Sequence, residues 1–147
     1  MKQIELHTDG SALGNPGRGG WAYILKYNDS IKKDSGGVPH ATNNQMELLA
    51  VIKGLGVLKE RCNIKLYSDS KYVLDGLNTW IKNWKRNGWR TSSRKPVANG
   101  ELWKELDALS EKHNVEFNWV KGHNGDPMNE EVDSMAQKAA SSMKKEN

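Results

Sequence analysis

Three strand-patterned runs come before the first helix-patterned one, and they follow one another as hairpins. Residues 3–9 alternate apolar and polar (Ile4, Leu6, then Thr8). Trp21-Ala22-Tyr23-Ile24-Leu25 is the apolar part of a second run ending at Tyr27. A third, weaker run spans 31–35. Gly10 to Gly20, with five glycines (10, 14, 17, 19 and 20) and Pro16, reads as a turn region. Asn28-Asp29 reads as a hairpin turn, and Gly36-Gly37-Val38-Pro39 as the break after the third strand.

From there the pattern changes to alternating helices and strands. Thr42-Asn43-Asn44 supplies caps for a helix over about 44–60, with Glu47, Ala50, Val51, Gly54, Leu55 and Leu58 on one stripe. Ile64-Lys65-Leu66-Tyr67 reads as a strand, and Ser70 as the cap of a further helix. Asn99-Gly100 opens a helix carrying Leu102, Trp103, Leu106 and Leu109. Residues 115–120 alternate as a fifth strand, and about 128–143 form a last helix buried through Val132, Met135, Ala136, Ala139, Ala140 and Met143. Hairpin-linked strands followed by βα units predict an α/β fold with a mixed sheet flanked by helices.

A single domain over 1–147 is expected, since that length buries a core without disulfides or structural metal. No run of 18 apolar residues is present, so no membrane span is expected. Met1-Lys2-Gln3-Ile4-Glu5 lacks the apolar core of a signal peptide. Cys62 is the one cysteine, which excludes an internal disulfide and a cysteine zinc site. A reducing, cytoplasmic setting follows as an expectation, and so does a monomer.

Four carboxylates then stand out. Asp9 and Asp69 end strand-like runs, and Glu47 and Asp133 lie on or beside the apolar stripes of helices. Each has an ordinary reading as turn residue, cap, helix-dipole partner or helix rim. Burying a carboxylate is costly unless it is paired or binds metal, and four at such positions are relieved together if they converge on cations. Asp9 and Asp69 would share one rim of the sheet if their strands run parallel. An all-oxygen donor set suits Mg2+, or Mn2+ as the alternative, rather than zinc. Two such ions about 3.5–4 Å apart support in-line displacement at phosphorus.

Net charge is +4, and its distribution supplies a partner. Lys82, Lys85, Arg86, Arg90, Arg94 and Lys95 lie between Trp80 and Lys95 with no acid among them, interleaved with Trp80, Trp84 and Trp89. Basic residues among aromatics point to nucleic acid, against the plainer reading of a solvated helix anchored by its tryptophans. His123 lies between Gly122 and Gly125 in the loop before the last helix, where a proton carrier would be free to move over a site. Gly14-Asn15-Pro16-Gly17-Arg18-Gly19-Gly20 follows a strand without opening a helix, so it is not a P-loop.

Thr8-Asp9-Gly10-Ser11, Gly14-Asn15-Pro16-Gly17, Thr42-Asn43-Asn44 with Met46-Glu47-Leu48, Ser68-Asp69-Ser70 with Tyr72-Val73, Trp80-Ile81 with Asn83-Trp84, and Trp119-Val120-Lys121-Gly122-His123 with Asn129-Glu130 and Asp133 occur in that order. Together they resemble bacterial-type ribonuclease HI over essentially the whole chain. The resemblance implies a ribonuclease H-like fold with a five-stranded mixed β-sheet. It implies endonucleolytic hydrolysis of the RNA strand of RNA–DNA hybrids by two metal ions, leaving 5′-phosphate and 3′-hydroxyl ends.

Under the same resemblance Asp9, Glu47, Asp69 and Asp133 are the metal-binding catalytic acids, and His123 assists proton transfer. Asn15, Asn43, Asn44 and Lys71 would face the hybrid's minor groove, where the 2′-hydroxyl tells RNA from DNA. Thr42 and Asn99 would grip a DNA-strand phosphate, and Trp80 and Ser92 would line the DNA channel. Lys82, Lys85, Arg86 and Arg90 would belong to a basic protrusion. His40, Lys71, Asp126 and Gln137 depart from the family's commoner residues. A replication-protein partner fits the resemblance, though no motif specifies one. Two other readings are a non-catalytic binding module, which would have no use for four acids that repel a polyanion, and a transposase-like nuclease, for whose DNA-binding domains 147 residues leave no room.

Overall fold

Five strands hydrogen-bond into one sheet of order β3-β2-β1-β4-β5, in a computed structural model that describes residues 1–122 and 125–143. β1 (Lys2–Leu13), β2 (Gly17–Tyr27) and β3 (Ser30–Ala41) form the antiparallel hairpins. β4 (Cys62–Ser68) and β5 (Asn114–Trp119) add on parallel to β1. The helices are α1 (Asn43–Gly56), α2 (Lys71–Asp75), α3 (Ile81–Arg86), α4 (Gly100–Glu111) and α5 (Pro127–Ser142), with a π-helical turn over Gly76–Trp80 joining α2 to α3. The mixed sheet and flanking helices match the expected architecture.

Strand alternation sorts side chains to two cores. Ile4 and Leu6 of β1 and Ile64 and Leu66 of β4 pack with Leu48, Val51 and Leu55 of α1 and with Trp103 and Leu106 of α4. On the opposite face, Ala22 and Ile24 of β2 pack against Val132 and Ala136 of α5. Both layers exclude water from aliphatic surface, which is the main driving force for the fold. Among the described residues no helix is long and apolar enough to cross a membrane.

Two glycine-rich segments read as loops are strand. β1 runs on to Leu13 and β2 begins at Gly17, so the turn is only residues 14–16. The reason is close approach. A Cβ on Gly10 would sit 2.2 Å from the Met46 carbonyl carbon of α1, and one on Gly20 would sit 2.1 Å from the Ala136 carbonyl oxygen of α5. Glycine lets each helix lie directly on the strand. Gly36-Gly37-Val38-Pro39 likewise continues β3 rather than ending it. Proline is tolerated there because β3 is an edge strand, and its pairing with β2 shifts register between Gly17 and Gly19. α1 is shorter than expected and stops at Gly56, with Val57 as its C-cap.

Candidate active site

β1 and β4 run side by side up to the pair His7–Tyr67. Asp9 follows two residues further along β1, and Asp69 directly after β4, so the two acids share the carboxyl edge of the parallel pair. Asp9 does not end its strand, because β1 continues past it in the antiparallel pairing Asp9–Ala22. Glu47 arrives from α1. Thr42 caps that helix, its Oγ1 accepting the Gln45 N–H at 3.1 Å while Gln45 Oε1 accepts the Thr42 N–H at 2.9 Å. The bare Gly10 backbone lets α1 close in, and its N–H donates to Glu47 Oε1 at 3.0 Å.

Carboxylate oxygens of Asp9, Glu47 and Asp69 all lie within 4.8 Å of one another. Asp133 of α5 reaches the same cluster through its contact with Asp9. Asp9 is 2% exposed and Glu47 9%. Asp9 Oδ2 and Glu47 Oε2 are buried with no hydrogen-bond partner among the described residues. Burial pushes both carboxyl pKa values upward, with Glu47 the next cause for Asp9, while for Glu47 the hydrogen bond with Asp9 opposes the rise and the charges of Asp69 and Asp133 add to it. Without a cation, the pair holds a proton that a solvated carboxylate would release.

The neighbours explain how the cluster is held. Gln137 Nε2 donates to Asp133 Oδ2 at 3.0 Å, so one departure from the family pattern steadies an acid directly. Asp126 spends its Oδ1 capping α5, accepting from Met128 N–H at 3.0 Å and Asn129 N–H at 3.2 Å. Gly122 passes close over Asp69, where a Cβ would lie 2.9 Å from Oδ2. His123, expected as the proton carrier, lies outside the described residues.

The expected substrate-contacting residues fall into two groups. Beside the acids, Asn15 Oδ1 accepts the Asn43 N–H at 3.1 Å and Asn43 Oδ1 accepts the Ala12 N–H at 2.7 Å, tying the β1–β2 turn to the start of α1. Asn44 is exposed on the first turn of α1, and Asn99 is joined to Gln45 by a 3.4 Å contact between Gln45 Nε2 and Asn99 Oδ1. Lys71 holds its Nζ 4.8 Å from the centre of the Trp119 ring. His40 ends the exposed part of β3, one residue before buried Ala41.

Further along, Trp80 packs at 5.9 Å from Trp84 and 6.4 Å from Trp103, so the tryptophans build a platform as well as anchor the helix. Lys82 and Arg86 are exposed on α3. Asn87, Arg90, Thr91, Ser92 and Arg94 line a depression of ≈390 Å³. Lys85 instead turns toward α4, where Asp107 lies at 2.9 Å and Glu111 also pairs with it.

Three residues at the site escaped sequence reasoning. Trp119 is 43% exposed and donates its Nε1–H to the Asp69 carbonyl at 3.1 Å. It falls on the apolar phase of β5, so its pattern predicted burial. The sequence alone assigns Gln45 and Tyr72 no role of their own, and their contacts with Asn99 depend on three elements meeting.

A mixed sheet with carboxylates gathered where its central parallel strands end defines the class: an α/β fold with an acidic edge whose oxygens could hold a metal ion. The RNase H family model matches residues 1–141. Ribonuclease H of Rhizobium meliloti (strain 1021) is 52% identical over 145 residues, covering 99% of this chain and 95% of the relative. Ribonuclease H of Pseudoalteromonas atlantica (strain T6c) is 55% identical over 141 residues, covering 96% and 92%. Among solved structures, LC9-RNase H1, a type 1 RNase H with the type 2 active-site motif, superposes with a TM-score of 0.85 at 30% identity, covering 96% of this chain and 73% of that one. The chain belongs to the ribonuclease H family and is an enzyme of that family.

Proposed function

We propose that this ribonuclease H acts as one domain that cuts the RNA strand of RNA–DNA hybrids. It uses two divalent ions, Mg2+ or alternatively Mn2+, and leaves 5′-phosphate and 3′-hydroxyl ends. The observation that carries the reading is the convergence of Asp9, Glu47 and Asp69 within 4.8 Å, with Asp133 against Asp9. The residues fit such ions: every donor is a carboxylate oxygen, and two of the oxygens are buried without a hydrogen-bond partner among the described residues. When bound, the ions supply a water of lowered pKa and stabilise charge on the departing oxygen.

The chain's own residues supply position and proton traffic. Asp9, Glu47, Asp69 and Asp133 orient the scissile phosphate's surroundings. The water oxygen joins phosphorus, the P–O3′ bond breaks, and O3′ leaves as the hydroxyl after taking a proton that His123 helps to move. Asn15, Asn43, Asn44 and Lys71 meet the minor groove, Thr42 and Asn99 a DNA phosphate, and Trp80 with Ser92 the DNA channel. Lys82, Arg86 and Arg90 attract the backbone by charge.

Asp69→Asn tests the reading with little change of shape. Cleavage should fall by at least about a thousandfold, the scale of losing transition-state charge stabilisation, while a gel shift still shows hybrid binding. Near-normal cleavage by Asp69→Asn would sink the two-ion assignment.

A further inference from the structure

Asn99 stands at the N-cap of α4 in left-handed backbone (φ 58°), yet its side chain makes no cap bond. An asparagine in that place ordinarily turns its amide oxygen onto its own helix. Here both ends of the amide are engaged elsewhere. Oδ1 accepts from Gln45 Nε2 at 3.4 Å, a long contact, and Nδ2 donates to the Tyr72 phenol oxygen at 3.1 Å. The same phenol oxygen accepts the Trp103 Nε1–H at 3.0 Å. Tyr72 is further wedged by the rings of Trp80 and Trp103, at 5.7 and 5.2 Å.

The direction of each bond in this relay is dictated by its first donor. The Thr42 main-chain N–H can only donate, so the Gln45 atom that meets it is Oε1. Gln45 therefore presents Nε2 to Asn99, and Nε2 too can only donate. Asn99 must then turn Oδ1 toward Gln45 and Nδ2 toward Tyr72. One N–H of the Asn99 amide is left over. The Thr42 hydroxyl, which accepts the Gln45 N–H, likewise keeps its own proton to give. A helix cap and an aromatic cluster thus orient two donors that no partner among the described residues of this relay consumes.

We propose that Gln45 and Tyr72 are positioning residues: they lock the Asn99 amide so that its remaining N–H, together with the Thr42 hydroxyl, meets one phosphate of the bound DNA strand. The inference rests on the hybrid-cleaving function proposed above. Neither residue touches the substrate, so each acts on affinity through Asn99.

The test measures KM and kcat for Asn99→Ala, Gln45→Met, Tyr72→Phe and the double variant Gln45→Met with Asn99→Ala. Substrates are an ordinary hybrid and hybrids in which each DNA phosphate in turn is a neutral methylphosphonate. Asn99→Ala should raise KM about tenfold, the scale of one charge-assisted hydrogen bond. Gln45→Met and Tyr72→Phe should each raise KM several-fold with a much smaller fall in kcat. The double variant should be no worse than Asn99→Ala alone, and one methylphosphonate position should erase all these differences. Tyr72→Phe leaves the helix cap intact, so any instability of Gln45→Met does not decide the matter. Wild-type KM in both Gln45→Met and Tyr72→Phe, or a double variant whose losses multiply, would overturn the positioning role. Wild-type KM in Asn99→Ala would overturn the phosphate contact itself while leaving the catalytic assignment to the Asp69→Asn result.

Discussion

Asp9 and Glu47 lie too close, and too far from water, for both to ionise without a cation beside them. Their folded pKa values stand above the unfolded carboxyl values of about 4, so the folded chain holds protons that the unfolded chain has released. Metal-free stability is therefore greatest on the acid side and falls as pH rises from about 4 through the raised folded values. His113, whose pKa burial lowers, works in the opposite direction, so the informative comparison is with Asp9→Asn. In chelator, the Tm of the native chain should fall by several degrees relative to that variant between pH 5 and pH 8. Saturating Mg2+ should close the gap. Parallel Tm curves for the two proteins would show that the carboxylates do not repel as described. At this scale the acids were legible because a buried charge violates a folding rule wherever it occurs. Gln45 and Tyr72 were not, because each acquires its role only from partners on other elements, and Trp119 was not, because its apolar phase in β5 predicted burial whereas it is exposed beside Asp69.

Elements carry the next level of control, and the glycines of β1 and β2 are the clearest case. They were read as turns because glycine is the usual mark of a turn, whereas here it marks where a helix lies on a strand. Element order and type were readable from hydrophobic period. Strand ends at 10–13 and 36–41 were not, since tertiary packing decides them. Gly20→Ala should cost about 2 kcal/mol or more through overpacking, lower Tm by roughly 4–8 °C, and reduce activity because α5 carries Asp133. Gly56→Ala, whose added Cβ meets nothing within 4 Å, should be neutral or slightly stabilising in a thermal melt. Equal losses from both would refute the close-approach account. The basic protrusion divides in the same way. Arg90 faces the depression beside Ser92, whereas Lys85 is held by Asp107 and Glu111 of α4. Arg90→Ala should reduce the slope of log affinity against log salt by roughly 0.9, one phosphate contact. Lys85→Ala should change that slope less, and a reversed order would reassign the two side chains.

On the scale of the whole molecule, the sheet and helices α1 and α5 bring residues from position 9 to position 133 to one edge, while the cations from Lys82 to Lys95 lie on α3 and the segment after it. Under the proposed function, that placement would let the four acids and the cations other than Lys85, which pairs with Asp107 and Glu111, serve one polyanion. In that account the acids would need divalent ions to accept a phosphodiester, and the cations would hold the backbone at a distance from them. On the proposed function, activity should therefore depend on metal and on a substrate that fits both surfaces. The most direct test incubates labelled RNA–DNA hybrid, double-stranded RNA and double-stranded DNA with the enzyme, in Mg2+ or in chelator. The account predicts that only the RNA strand of the hybrid is cut, and only with Mg2+. Cleavage in chelator, or cleavage of double-stranded DNA at a comparable rate, would contradict it.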